Sequence, residues 1–130
     1  MVRASKPQLS ESLLAFAHPL LQLLPEGAGP AAITPLARIA ALVWNSVALE
    51  LLGHDSPYLE QARAIVRSNT KGLERDLALG LLADMEARKR REVLPDLRLI
   101  GEFELYTGKR GETRMRIDRN EAGPSAGSLS

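Results

Sequence analysis

The amino-acid sequence predicts an α+β fold with helices dominant: four helices, packed round a central apolar one at about 35–52, and a C-terminal antiparallel β-hairpin over about 99–118. Three observations predict it. Residues 35–52 are apolar except for Pro35, Arg38, Asn45, Ser46 and Glu50. At 100° per residue those last four fall within a sector about 140° wide, so this helix needs cover on most of its circumference. Other stretches with a 3.6-residue apolar period are separated by proline and glycine. Beyond Leu97 the period changes to 2.

Residues 5–24 form the first predicted helix. Ser5 and Gln8 have capping-box spacing, and Leu9, Leu13, Phe16, Leu20 and Leu24 recur three and four residues apart. Pro19 lacks an N–H and crowds the preceding turn, which predicts a kink near residues 15–18 or two shorter helices. Residues 25–33, with two prolines and two glycines, are the connecting loop. Gly27 and Gly29 lack the third glycine, the preceding strand and the Lys-Ser/Thr of a phosphate-binding loop.

For the central helix, Thr34 before Pro35 predicts an N-terminal cap, and Gly53 after Leu52 predicts a left-handed terminator. Its apolarity also suggests a membrane span. Crossing hydrocarbon takes about 20 residues, however, and Arg38, Asn45 and Glu50 oppose burial in lipid, so no membrane role is expected. Ser56 and Pro57 start a short third helix with Leu59, Ala62, Ile65 and Val66 on one stripe, and residues 68–72 break it. A fourth helix follows over about 72–93, with Leu73, Leu77, Leu81 and Met85 on the expected inner stripe, widened by Leu79 and Leu82. Pro95 is its expected stop.

The hairpin prediction rests on alternation in residues 102–106 and again in 114–118, either side of a turn at 108–111. With Gly111 in the left-handed position of a three-residue loop, Thr107 pairs with Thr113, Leu105 with Met115 and Phe103 with Ile117. The opposite face sets Glu104 against Arg116 and Tyr106 beside Arg114, while Glu102 facing Asp118 frays the end. A two-stranded hairpin is marginal alone, so its apolar face must lie on the helices or its edge must extend a partner's sheet. Residues 1–119 are then one domain and 120–130, small and polar, a flexible tail.

Composition narrows function mainly by exclusion. The chain has 130 residues, 45% hydrophobic, 25% charged and 4% aromatic, so its core is built chiefly from aliphatic residues. Without cysteine it has no disulfide, thiolate metal site or cysteine nucleophile. Arg3 and Lys6 ahead of the apolar segment 13–24, with Ala28 and Ala31 beyond, give residues 1–31 the outline of a cleaved signal. Glu11, His18, Pro19 and Gln22 break or flank that run, and the cytoplasm is the expected location. Net charge is +1, but residues 1–87 hold 7 basic and 9 acidic side chains and residues 88–119 hold 10 and 6. An electrostatic partner would therefore meet the C-terminal third.

Arg88, Lys89, Arg90 and Arg91 are the most conspicuous charges, and with Arg110, Arg114 and Arg116 of the hairpin they are the candidate nucleic-acid contacts. The plainer reading is a solvated helix end: cations suit the C-terminal dipole, and Asp84 with Arg88 and Glu86 with Arg90 are i, i+4 pairs. His54, Asp55 and Ser56 list the members of a catalytic triad, but adjacent residues cannot converge and Ser56 has a capping role. His18 and His54 stand without a metal-binding pattern, so no metal and no cofactor is expected. Asn45, beside Trp44, either faces solvent at the edge of the polar sector or makes a specific structural hydrogen bond, since a buried amide without partners costs about 1–3 kcal/mol.

Trp44, Asn45, Phe103, Leu105, Met115 and Ile117 are the candidate interface or structural residues. The apolar excess of residues 35–52 over the elements available to cover it predicts a homodimer. The expected function is that of a small cytoplasmic interaction or structural protein, of the bacterial accessory type, acting through homodimerisation or protein contacts. The alternatives are a nucleic-acid binder and an enzymatic or small-ligand pocket between helices.

Overall fold

A computed structural model of the chain describes residues 8–93 and 95–117. Four helices, α1 (Leu9–Leu21), α2 (Pro30–Leu51), α3 (Tyr58–Asn69) and α4 (Gly72–Arg90), precede strands β1 (Phe103–Thr107) and β2 (Thr113–Ile117). This is the α+β, mainly helical arrangement expected. Ser5, Asp118 and the tail 120–130 lie outside the described residues, as does any cap that Ser5 provides.

α1 begins at Leu9, with the Gln8 N–H donating to the Glu11 carboxylate. Pro19 lies in its last turn, because the helix ends at Leu21 and not at residue 24. The ring leaves the Ala15 carbonyl without its usual partner, and α1 nevertheless runs as a single helix to Leu21. Leu13, Ala17 and Leu20 are buried.

α2 starts five residues earlier than expected. Gly29 is the extended N-cap and Pro30 occupies the first turn, the position that proline's fixed φ suits. Thr34 is therefore inside the helix, where its hydroxyl donates to the Pro30 carbonyl at 2.7 Å. Pro35 is internal as well, and the carbonyl it leaves unpaired belongs to Ala31, an exposed residue within reach of water. The other end follows expectation. Gly53 takes φ 89°, its N–H donates to the Glu50 carbonyl and the His54 N–H donates to that of Leu49, the paired bonds of a Schellman terminator.

From Ala37 to Ala48 only Arg38 is exposed. α1, α3, α4 and β1 all pack on α2. One chain thus covers the middle of its own central helix, while Leu51 and Leu52 at the C-terminal end of that helix stay 41% and 49% exposed. By length and apolarity α2 could also cross a membrane, with half of its most apolar window buried by the rest of the chain.

The hairpin matches its expected register in full: Phe103 with Ile117, Leu105 with Met115, Thr107 with Thr113, and on the other face Glu104 with Arg116 and Tyr106 with Arg114. Gly111 takes φ 83°, and the Gly108 N–H donates to the Glu112 carbonyl at 2.7 Å, closing the loop. β1 lies against α2 and β2 against α1. Phe103, Leu105, Met115 and Ile117 turn to the helices, so the hairpin gains its stability by docking on the core.

α4 departs most from expectation. Its inner face is Ala78, Leu82, Met85, Glu86 and Lys89, not a line from Leu73 to Met85. An i, i+4 series advances about 40° round a helix at each step. Leu73, Leu77, Leu81, Met85 and Lys89 consequently spiral from outside to inside: Leu73 is 87% exposed, Leu77 54%, Leu81 half-buried, and Met85 and Lys89 fully buried. α4 also stops at Arg90, short of Pro95.

Candidate functional site

Lys89 combines a charge with complete burial, and its surroundings explain how. The preceding residues Leu82, Met85 and Glu86 face α2 and α3, and the same helical face carries Lys89 inward over α2. Its ammonium sits on the face of the Trp44 ring, 3.4 Å from the centroid, with the Phe16 ring 5.9 Å away. The two rings meet edge to face at 5.5 Å and 85°, the geometry that aromatic quadrupoles favour. The ammonium donates to the Asp96 carbonyl at 2.8 Å and lies 3.7 Å from the Glu92 carboxylate. An ammonium has three N–H groups, and carbonyl, carboxylate and indole face account for all of them.

Burial pushes the Lys89 amine below its ordinary value, against the opposing pull of Glu92 and Asp96. A depressed lysine pKa is one mark of a nucleophilic amine. Here the nitrogen has no exposed side and no free donor, so its geometry is that of a structural cation, not of an amine poised for attack on a carbonyl.

The chain after α4 explains why a donor is needed there. Residues 95–100 run as a strap without helix or strand of its own towards the hairpin, and among the described residues no strand lies beside it to accept or supply ladder bonds. Side chains take that role. Lys89 bonds the Asp96 carbonyl, the Trp44 indole N–H bonds the Arg98 carbonyl at 2.6 Å, and the Asn45 amide bonds the Ile100 carbonyl at 2.9 Å. The Ile100 N–H in turn donates to the Asn45 Oδ1 at 2.7 Å, so one amide pairs with both backbone groups of Ile100 as a strand would. The carbonyls used belong to alternate residues because successive groups of an extended chain point to opposite sides. On the strap's other side Asp96 pairs with Arg98, accepting from its backbone N–H at 3.1 Å and from its guanidinium.

The candidate basic patch is divided by this arrangement. Lys89 is inside the protein. Arg90 forks onto Glu50 with two bonds of 2.7 Å and reaches Glu86 at 2.6 Å. That contact holds the Glu50 carboxyl below its usual range and raises the Arg90 guanidinium still further. Arg116 pairs with Glu104 across the hairpin, and Arg114 lies 3.9 Å from Glu112. Arg88, Arg91 and Arg110 stay at the surface, Arg88 without the expected Asp84 pair among the described residues. Trp44 and Asn45, with the four apolar hairpin residues, are all structural and face inward. His54 and Asp55 are exposed, and Ser56 accepts a long 3.5 Å bond from the Tyr58 N–H beside the start of α3. Among the described residues no group of three or more His, Cys, Asp or Glu could hold a metal.

The opposite face of α4 is the second candidate, and sequence reading assigned its leucines to the core. Leu73 and Leu77 project into solvent, Gly80 is exposed one turn further along, and Asp84, Arg88 and Arg91 continue the same side. A signal was present. Mapping each residue at 100° places Met85 and Lys89 on one side and Leu73 on the other, so one line cannot bury all three.

Comparison with protein-family models, with curated proteins and with solved structures finds no match for this chain.

Proposed function

We propose that the protein is a small non-enzymatic interaction protein whose contact surface is the outer face of α4, used for homodimerisation or for binding another protein. The observation that carries this reading is the inversion of α4: it exposes 87% of Leu73 and 54% of Leu77 while burying a lysine completely. A solvent-facing leucine taken singly needs no explanation, but two on successive turns of one helix, next to half-buried Leu81, form a continuous apolar strip. The buried face of α4 is fully engaged with α2, α3 and the strap, so the strip is surplus to the fold.

The test is a photo-reactive amino acid at position 77, introduced into the protein in the cells that produce it, with the same residue at exposed Gln61 on α3 as control. Illumination is expected to yield a covalent protein adduct from position 77 and none from position 61. No adduct from position 77 would remove this reading.

A further inference from the structure

We infer that the outer edge of β2 docks an extended segment of another protein as an antiparallel third strand, with acidic residues at alternate positions of that segment; the site is separate from the α4 strip. The loop fixes which backbone groups point outward. The Gly108 N–H donates to the Glu112 carbonyl and the Gly111 N–H to that of Gly108, so Gly108 and Glu112 form a bonded pair. Bonded and non-bonded pairs alternate along an antiparallel ladder. Tyr106 with Arg114 and Glu104 with Arg116 are then bonded pairs, and Thr113, Met115 and Ile117 turn their N–H and C=O groups away from β1. None of those outward groups has a hydrogen-bond partner among the described residues.

Met115 makes this edge unusual. It is 8% exposed with its side chain in the core, yet its N–H and C=O are unanswered, a state that folded chains avoid. A strand laid along β2 answers both. The outer edge of β1 has less need of one, because Phe103 and Leu105 are only half-buried and Thr107 is exposed, within reach of water. Nothing in β2 blocks pairing either: its register runs without a bulge and it holds no proline.

Charge selects the occupant. Arg114 and Arg116 stand on the solvent face of β2, with side chains 60% and 65% exposed. Full-length antiparallel pairing of two β2 strands sets Arg114 against Arg116 twice, which disfavours a second copy there. Acidic side chains on an added strand would instead lie beside both arginines, as Glu104 lies beside Arg116 from the β1 side. A guanidinium has five donors, more than one carboxylate can use. The intervening positions share the face of Thr113, Met115 and Ile117, towards α1, where apolar residues fit.

A capped peptide of about seven residues alternating valine with glutamate, long enough to span β2, tests this on the full chain by amide-resolved NMR. Half-saturation is expected below about 1 mM. Hydrogen exchange at Thr113, Met115 and Ile117 should slow about tenfold or more at saturation. Lysine in place of glutamate should weaken binding about tenfold, and so should methylation of the valine nitrogens, which face β2; methylated glutamate nitrogens, which face away, should leave it within about twofold. Arg114→Glu, at an exposed position and with circular dichroism to show that the variant is folded, should weaken the glutamate peptide about fivefold and strengthen the lysine one. No binding at about 1 mM overturns the inference. So does a valine-methylated peptide that binds as well as the parent, or protection that appears at Phe103, Leu105 and Thr107 instead. Shifts at Thr113, Met115 and Ile117 that grow with protein concentration, without peptide, would assign the edge to a second copy. Amides there as protected in the free chain as those of Tyr106 and Arg114 would assign it to the chain itself, and either result removes the acidic partner.

Discussion

In α2 the polar side chains are the exceptions, and Trp44 and Asn45 turn their polar atoms onto the chain while Arg38 and Glu50 stay exposed, whereas in α4 two leucines are left outside and the charges of Glu86 and Lys89 are taken in. The helices pack against each other, so the contrast is not one of environment along the chain. Trp44 and Asn45 of α2 spend their polar atoms on the strap, and so does Lys89 of α4. What distinguishes α4 is its length relative to what it covers. Its C-terminal half serves the core, and its first turns carry apolar area for which the chain has no inward use. The comparison teaches that hydrophobicity alone does not assign a helix face: the rotation of α4 follows from where Lys89 must reach, and Leu73 and Leu77 are carried outward with it.

The comparison can be broken most directly at Lys89. Lys89→Ala is expected to lower stability by about 2–5 kcal/mol in urea denaturation, combining a cavity beside Trp44 with an unpaired Asp96 carbonyl. A loss below about 0.5 kcal/mol would make Lys89 an ordinary surface residue. Its titration sharpens the point. Because burial lowers the Lys89 pKa in the folded state, the native chain sheds that proton before the unfolded chain does. Stability relative to a Lys89→Met variant should therefore rise as pH climbs towards the ordinary lysine value of 10.5. A flat difference across the alkaline range would contradict the assigned burial.

A smaller effect is expected at Asn45. Alanine there leaves both backbone groups of Ile100 without their partner, at a cost of about 1–3 kcal/mol. Amide exchange at Ile100 should accelerate while that of the Leu105–Met115 pair changes less; unchanged exchange would show that the strap is held by other means. The smallest effect belongs to the outer strip. Leu73→Ser with Leu77→Ser should shift stability by no more than about 0.5 kcal/mol per site at concentrations where the chain is monomeric. A large loss there would place these leucines in the core and end the contrast between the helices.

The hairpin was legible to the last pair, because a period of 2 together with Gly111 leaves one parity and one loop length that keep Phe103, Leu105, Met115 and Ile117 together. The central helix and its Gly53 terminator were legible for similar reasons, although Gly29-Pro30 outweighed Thr34-Pro35 as the starting signal. The α4 face was not, since an i, i+4 leucine series reads as one line although it winds round the helix. Lys89 was hidden by its neighbours: within Arg88-Lys89-Arg90-Arg91 it reads as one more solvated cation, and only its spacing of four and seven from Met85 and Leu82 marks it as inward. The strap was illegible for a different reason. Its hydrogen-bond partners are side chains more than 50 positions earlier in the case of Trp44 and Asn45, and no local pattern in residues 95–100 encodes them.

That strap also decides how the C-terminal end comes away under load. Tension on the chain beyond the hairpin, once β1 and β2 have lifted, reaches Asn45, Trp44 and Lys89 in turn, because each holds a different residue of the strap, Ile100, Arg98 and Asp96. Bonds loaded one after another yield at lower force than the same bonds loaded together. The end of the chain is thus built to peel, leaving the four helices assembled behind it.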